Sequence, residues 1–288
     1  MMQEHTAESL VHGAVKLYSL PDIYFQLKEK IEDPSHSARD LGKVIAKDPA
    51  LSARLLKVVN SAFFGFPARI DNIPRAITVV GVDDLHSLAL ATSVVDTFTD
   101  IPGDLVDMTD FWLRSVSCAV IARLLAKKAA LLHHESLFVA GMLHDLGTLI
   151  LYDRLPEQSR QILQSANNDR RLASALEREM LGFTAADVSG ALLKSWGLPE
   201  LLSEPVACQL HPEQAETYHL EAQLLHLAAW LSNFASESLS SEQILKEMPV
   251  PQIAVERFDA LAIEQVLAAA EEDFAEIFEM FVPHQFAS

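Results

Sequence analysis

The chain has 288 residues and a mass of 31.8 kDa; half of the residues are hydrophobic and 22% are charged, a balance that can bury a large core and excludes a globally disordered chain. With 40 acidic against 22 basic residues the net charge is −18, which argues against binding nucleic acid or anionic lipid, since both rest on Lys and Arg. The excess is uneven: residues 195–288 carry 16 acidic and 2 basic residues, and residues 1–194 carry 24 and 20, so the C-terminal third should present an acidic face suited to a basic partner or to solubility.

Only 10 glycines occur, and strand-like alternation is scarce. The chain therefore reads as all-α. Leu51, Leu55, Val58 and Val59 form one stripe at helical spacing, and Leu220, Leu224, Leu227 and Leu231 form another. Asp48-Pro49 is an N-cap with proline at the first helical position, opening a helix to about Asn60. A short helix over Pro74–Val80 stops at Gly81, and Asp83 should cap the next. Thr99–Asp104 is the expected joint between an N-terminal subdomain (1–103) and a second subdomain (104–288). Further helices are expected over about Asp110–Lys128, Glu135–Asp153, Glu157–Asn167, Leu172–Met180, Ala185–Trp196, Leu220–Phe234, Ser241–Lys246 and Ala262–Met280. Pro205 and Pro212 should break the segment Glu200–Thr217.

Some chemistries can be set aside. Cys118 and Cys208 are far apart among apolar residues, and buried reduced thiols are expected. Met1-Met2-Gln3-Glu4-His5 has neither a basic start nor an apolar run, so no secretory signal is expected. No apolar stretch reaches the roughly 18 residues that span a bilayer, and the expected location is the cytoplasm. The helix, turn and helix over residues 74–97 suggest a DNA reader, but Val82–Asp100 holds no Arg or Lys, which a recognition helix needs. No phosphate-cradling glycine loop and no G-x-S-x-G elbow occurs.

The stretch Leu137–Leu149 is the most informative. His144 and Asp145 stand side by side in an apolar run. An ionised carboxylate there must be paired or bind a metal, and imidazole with carboxylate suits Zn, Mn or Fe. The plainer reading has Asp145 accepting helix N–H groups or an arginine and His144 bonding a backbone carbonyl.

Ala140–Leu149 resembles the A-G-L-L-H-D-I-G-K-L core of the HD superfamily, which contains metal-dependent phosphohydrolases. Asp48-Pro49-Ala50-Leu51 through Leu56, and Asn60-Ser61-Ala62-Phe63-Phe64-Gly65, resemble the D-P-x-L-x-x-x-L-L and N-S-A-x-x-G signatures of the HDOD (HD-related output domain) family. Ile73-Pro74-Arg75-Ala76-Ile77 with Val80-Gly81, Phe111-Trp112, and Leu181-Gly182-Phe183-Thr184 with Leu192-Leu193, Trp196 and Leu198-Pro199 resemble its later blocks. The match runs from about Leu20 to Phe234. It implies an all-helical fold in two subdomains.

The resemblance also implies where metal ligands would stand. The first histidine is expected two residues after Trp112, where this chain has Arg114. The late aspartate falls at Ala229. The lysine after the pair's glycine is Thr148. Guanidinium has no lone pair to donate, so only His144 and Asp145 remain of the ligand set, whereas a catalytic ion needs about three protein ligands and an open position. An Arg114–Asp145 salt bridge is expected in place of the metal. His211 and Asp187 are the extra donors on which a metal-binding alternative would depend, with His144, Asp145 and His211 as its ligand set. His133-His134 read as a solvated turn, and Trp112, Phe183 and Trp196 as core anchors.

The function the resemblance implies is a non-catalytic, bacterial signal-transduction output or scaffold module. It would act with no cofactor, by binding other signalling proteins such as a response-regulator receiver or a sensor, or a signalling ligand, as a monomer or a homodimer. The alternative is a phosphohydrolase that uses a divalent metal such as Fe, Mn or Zn on a nucleotide or cyclic dinucleotide.

Overall fold

The computed structural model describes residues 5–14, 20, 22–32, 37–66, 69–98, 101, 105–167, 169–233, 243 and 258–282. Among them there is no strand, and the fold is all-helical. The chain divides into two compact units.

The smaller unit comprises residues 20–99 and 268–288. It holds α2 (Asp22–Glu32), α3 (Ala38–Ile45), α4 (Pro49–Val59), α5 (Ile73–Val80) and α6 (Val82–Val94). The local chemistry is that of the sequence. Asp48 accepts from Leu51 N at 2.9 Å to start α4, and Asn72 accepts from Arg75 N at 2.9 Å to start α5. Gly81 stops α5 at φ +99°, a conformation that favours glycine. Leu51, Leu55, Val58 and Val59 are all buried. Asn60 does more than end α4: its amide donates to Leu56 O and Ile70 O and accepts from Ile70 N, each at 2.7 Å, pinning the loop that follows. Asp83 does not cap α6, which begins at Val82 with Gly81 as its cap residue and no side-chain bond; the positive φ of Gly81 already turns the chain there.

His86 on α6 stacks on Tyr24 of α2, ring centroids 4.5 Å apart and 11° from parallel. Burial lowers its pKa to about 4 from an ordinary 6.5. Between those values the unfolded chain takes up a proton that the folded chain refuses, so stability falls as pH drops from 6.5 toward 4. Urea midpoints at pH 7 and pH 5 should therefore show the native chain losing about 2 kcal/mol more than His86→Phe. Equal losses in both would sink the assignment.

The larger unit comprises residues 1–19 and 100–267. It holds α1 (Ala7–Ala14), α7 (Met108–Lys128), α8 (His134–Leu143), α9 (Leu146–Arg154), α10 (Pro156–Ser165), α11 (Arg170–Leu181), α12 (Ala185–Ser195), α13 (Glu200–Ala207) and α14 (His219–Ser232). The division falls inside α15 (Ala260–Phe281), at Leu267. Helix α7 is the hub. It packs on α8 and α14, and Trp112, Val116, Cys118, Ala119 and Ala122 are fully buried.

The unit boundary near residue 100 lies close to the joint read from the sequence, but residues 1–19 group with 100–267 because α1 packs on α12 and α9. Most of the joint Thr99–Asp104, and the helix expected over Ser241–Lys246 apart from Gln243, lie outside the described residues. The segment Glu200–Thr217 breaks as expected, α13 ending at Ala207 ahead of a 3-10 turn over Pro212–Gln214, but the break falls after Pro205, which sits inside α13. The expected helix Glu135–Asp153 is two helices, α8 and α9, parted at His144-Asp145. Cys118 is buried as expected, whereas Cys208 is only half-buried.

Candidate functional site

The His-Asp pair occupies the two-residue break between α8 and α9, and glycines on either side explain the close packing there. A Cβ on Gly141 would meet Ala119 Cα of α7 at 2.5 Å, and one on Gly147 would run into the Ala185 carbonyl at the start of α12. Gly147 N donates to Ser189 Oγ at 2.8 Å. The break is thus wedged between α7 and α12.

His144 is buried, and its Nδ1 donates to Gly141 O at 2.7 Å, fixing the ring to its own helix. Its carbonyl accepts from Gln209 Nε2 at 2.7 Å. Gln209 also donates to Val206 O at 2.9 Å, and its own carbonyl accepts from His226 Nδ1 on α14 at 2.5 Å. Burial pushes His226 below the ordinary histidine range, so its neutral Nδ1–H tautomer makes this bond. The chain His226–Gln209–His144 ties α14 to the break. No local spacing signals this contact, which joins positions 17 and 65 residues apart.

Asp145 is half-buried, and its Oδ1 accepts from Thr148 Oγ1 at 2.5 Å. Burial, with the Asp145 charge second, pushes the Cys118 thiol well up, which keeps it protonated and inert. Asp145 and Thr148 line a cavity of about 420 Å³, and Arg114 of α7 lines the same cavity. The residue standing at the expected first-ligand position and the surviving aspartate are therefore brought together.

The other sequence candidates are not. His144, Asp187, His211 and Ala229 do not line the cavity. Asp187 is the N3 residue of a capping box: its Oδ2 accepts from Thr184 N at 2.6 Å and Thr184 Oγ1 at 2.9 Å and lies 3.0 Å from Arg178. The His211 side chain is 55% exposed, 3.3 Å from Glu213. Ala229 lies half-buried on α14. Among the described residues, no group of three His, Cys, Asp or Glu side chains is placed to hold a metal ion.

Helices α7 and α8 also share a buried charge cluster. Arg123 and Glu135, 2% and 5% exposed, form a bidentate pair at 2.8 and 2.7 Å. His134 Nε2 lies 3.3 Å from the same carboxylate, so His134 is half-buried and engaged rather than solvated, while His133 is exposed.

Among solved structures, the fold is similar to that of a protein from Shewanella amazonensis SB2B named as a candidate phosphohydrolase (TM-score 0.76, 24% identity, covering 97% of this chain and 100% of that one). It is similar to an HDOD domain protein of unknown function from Geobacter sulfurreducens (TM-score 0.71, 22% identity, 96% and 99%). A third is a protein from Marinobacter aquaeolei VT8 named as a candidate signal transduction protein (TM-score 0.67, 20% identity, 98% and 66%). At these identities the likeness is one of fold. A curated relative, an uncharacterised protein of Treponema pallidum (strain Nichols), is 28% identical over 202 residues, and the match covers 67% of this chain and 37% of that protein. The chain thus matches well under half the length of that relative. The family model described as HDOD domain matches residues 17–212, the span that holds the Asp48-Pro49, Asn60-Ser61, Phe111-Trp112 and His144-Asp145 blocks, and the chain belongs to the HDOD domain family.

Proposed function

We propose that the chain is a non-catalytic signalling module that acts by binding, with an HD-type site that has lost its grip on metal. One observation carries the reading: Arg114, at the position of the first expected ligand, lines the same cavity as Asp145. A guanidinium beside a carboxylate supplies the positive charge that a metal would have supplied, and the proposal pairs Arg114 with Asp145 in that sense. The donor set supports it. His144 and Asp145 are the two donors left of the expected set; Asp187 is engaged in its cap and with Arg178, His211 lies outside the cavity lining, and among the described residues no three His, Cys, Asp or Glu side chains are grouped to hold an ion. Two donors fall short of the roughly three protein ligands a catalytic ion needs.

The name of the Marinobacter aquaeolei protein, a candidate signal transduction protein, is in keeping with this reading. The name of the Shewanella amazonensis protein, a candidate phosphohydrolase, is in keeping with the runner-up, a metal-dependent phosphohydrolase of nucleotides or cyclic dinucleotides. A cytoplasmic, bacterial setting and a receiver or sensor protein as partner belong to the same proposal; among the described residues no single helix is long and apolar enough to cross a membrane. The test is metal analysis of protein purified without added metal, with a phosphoester panel run in Mn, Fe and Zn. The expected result is far less than one metal per chain and no turnover that His144→Ala or Asp145→Ala abolishes. Stoichiometric metal with turnover sensitive to both substitutions would reverse the ranking.

A further inference from the structure

Helix α1 is eight residues long, and Ala7, Leu10, Val11 and Ala14 in it are only 5%, 3%, 2% and 0% exposed. Their spacing is i, i+3, i+4, i+7, the pattern of a helix laid into a groove. Glu8, Ser9 and His12 on its other side are exposed. The groove is made by α12 and α9, on which α1 packs.

A helix this short is marginal in water by itself, since isolated helices below about 12–15 residues rarely hold. Its conformation therefore depends on the groove. Its start, in contrast, is written into the segment. Thr6 Oγ1 accepts from Ser9 N at 3.2 Å, Ser9 Oγ accepts from Thr6 N at 2.9 Å, and Leu10 N donates to Thr6 O at 3.1 Å. The segment thus carries its own cap and its own anchors, and needs only an apolar groove to fold against. Two of the four anchors, Leu10 and Val11, are large, so the apolar area that seats α1 is modest. A chain end held in this way is the kind of element that opens before the core does. It also precedes residues 17–212, the span that the family model matches. A second copy presents the same groove and the same four anchors, so an exchanged contact is chemically identical to the one within the chain.

We propose that the face of α9 and α12 under α1 is a helix-docking groove, with α1 as an exchangeable occupant that also seats in the groove of a second copy. Helix α9 supplies Thr148, Leu151 and Tyr152 to the lining of the cavity, and α12 supplies Ala185, so a helix entering or leaving the groove acts on two helices that wall that cavity. Docking is independent of whether the HD-type site holds metal.

Hydrogen exchange on the full chain tests whether α1 opens by itself. The amides of Leu10, Val11 and Ala14 should exchange at least about tenfold faster than those of Val116 and Ala119 in the middle of α7. Equal protection would mean that α1 opens only with the core, and would overturn the proposal. A peptide of residues 5–16 tests docking in trans, on the full chain carrying Leu10→Asp, which should eject α1 and leave the rest folded. In its own chain α1 is seated under an effective concentration on the order of 1 mM, so the peptide should bind this variant with a dissociation constant below about 1 mM. The native chain, whose groove is filled, should bind far less of it, and a peptide carrying Leu10→Asp should bind neither. The native chain, held at about 1 mM, should also form dimers that the Leu10→Asp chain lacks. Peptide that ignores the variant, or binds it regardless of Leu10, removes the groove. A native chain that stays monomeric, or dimers that persist with Leu10→Asp, removes the exchange. Should Leu10→Asp unfold the whole chain, α1 is part of the core rather than a ligand of it, and the proposal falls.

Discussion

Glu135→Ala is expected to destabilise the chain by about 3–5 kcal/mol, read as a lower urea midpoint at unchanged slope. The Arg123 and Glu135 side chains are 3% and 7% exposed and joined by two parallel hydrogen bonds. Truncating the carboxylate leaves a guanidinium, which cannot deprotonate, buried among the apolar residues of α7 and α8. The size of the loss is the penalty of that orphaned charge, not the net worth of the pair, so replacing both partners should recover most of it. Arg123→Met with Glu135→Leu is expected within about 1–2 kcal/mol of the native chain. A single substitution that costs under about 1 kcal/mol would mean water reaches the pair. His134 gives the pair a pH signature. Burial alone would raise the Glu135 pKa, but hydrogen bonds from His134 and Arg123 outweigh it and hold the carboxyl below its usual range. The same contact with Glu135 raises His134 above 6.5. The Glu135 contribution is present above its unfolded pKa, near 4.5, and is lost as pH falls through its lowered folded value. The His134 contribution is present below 6.5 and lost as pH rises through its raised value. The cluster is therefore strongest in mildly acidic solution. Comparing the native chain with His134→Phe above and below pH 6.5 checks this: the difference in stability should shrink as the solution becomes alkaline.

The features legible in the sequence are those written within a few residues. The stripe of α4, the cap at Asp48 and the stop at Gly81 follow from spacing and residue type alone, and the structure places them where they were read. Arg123 inside the apolar run Cys118–Ala126 and Glu135 at the head of another are legible as charges that burial must pair, and Thr184 with Asp187 fits the spacing of a capping box. The break at His144-Asp145 is different. Apolar residues continue at helical spacing across it, and neither glycine nor proline stands between the two helices. What fixes it are Ser189 on the Gly147 amide and Gln209 on the His144 carbonyl, 42 and 65 residues away. The placement of residues 1–19 with the larger unit is likewise set by packing of α1 on α12, which no local pattern encodes. That Arg114 and Asp145 would face one cavity is legible only because the family blocks fix their alignment.

Gly147→Ala tests how tightly that break is built, and an effect of about 3 kcal/mol or more is expected, at the upper end of overpacking. The added methyl would collide with the Ala185 carbonyl oxygen and stand 2.6 Å from Ser189 N and 2.9 Å from Ser189 Oγ. Two of these three are backbone atoms of α12, which cannot turn aside as a long side chain could. Helices α9 and α12 must move apart, and the bond from Gly147 N to the fully buried Ser189 hydroxyl is stretched with them, leaving polar groups short of partners. Thr148→Ala, one residue on, removes only the hydroxyl that bonds the half-buried Asp145 and should cost about 1 kcal/mol. The decisive comparison is the double variant Gly147→Ala with Ser189→Ala. Because the collision is with backbone, trimming the hydroxyl should restore none of the loss. Recovery of most of it would place the conflict at Ser189 Oγ instead and show that α12 can yield at Ala185.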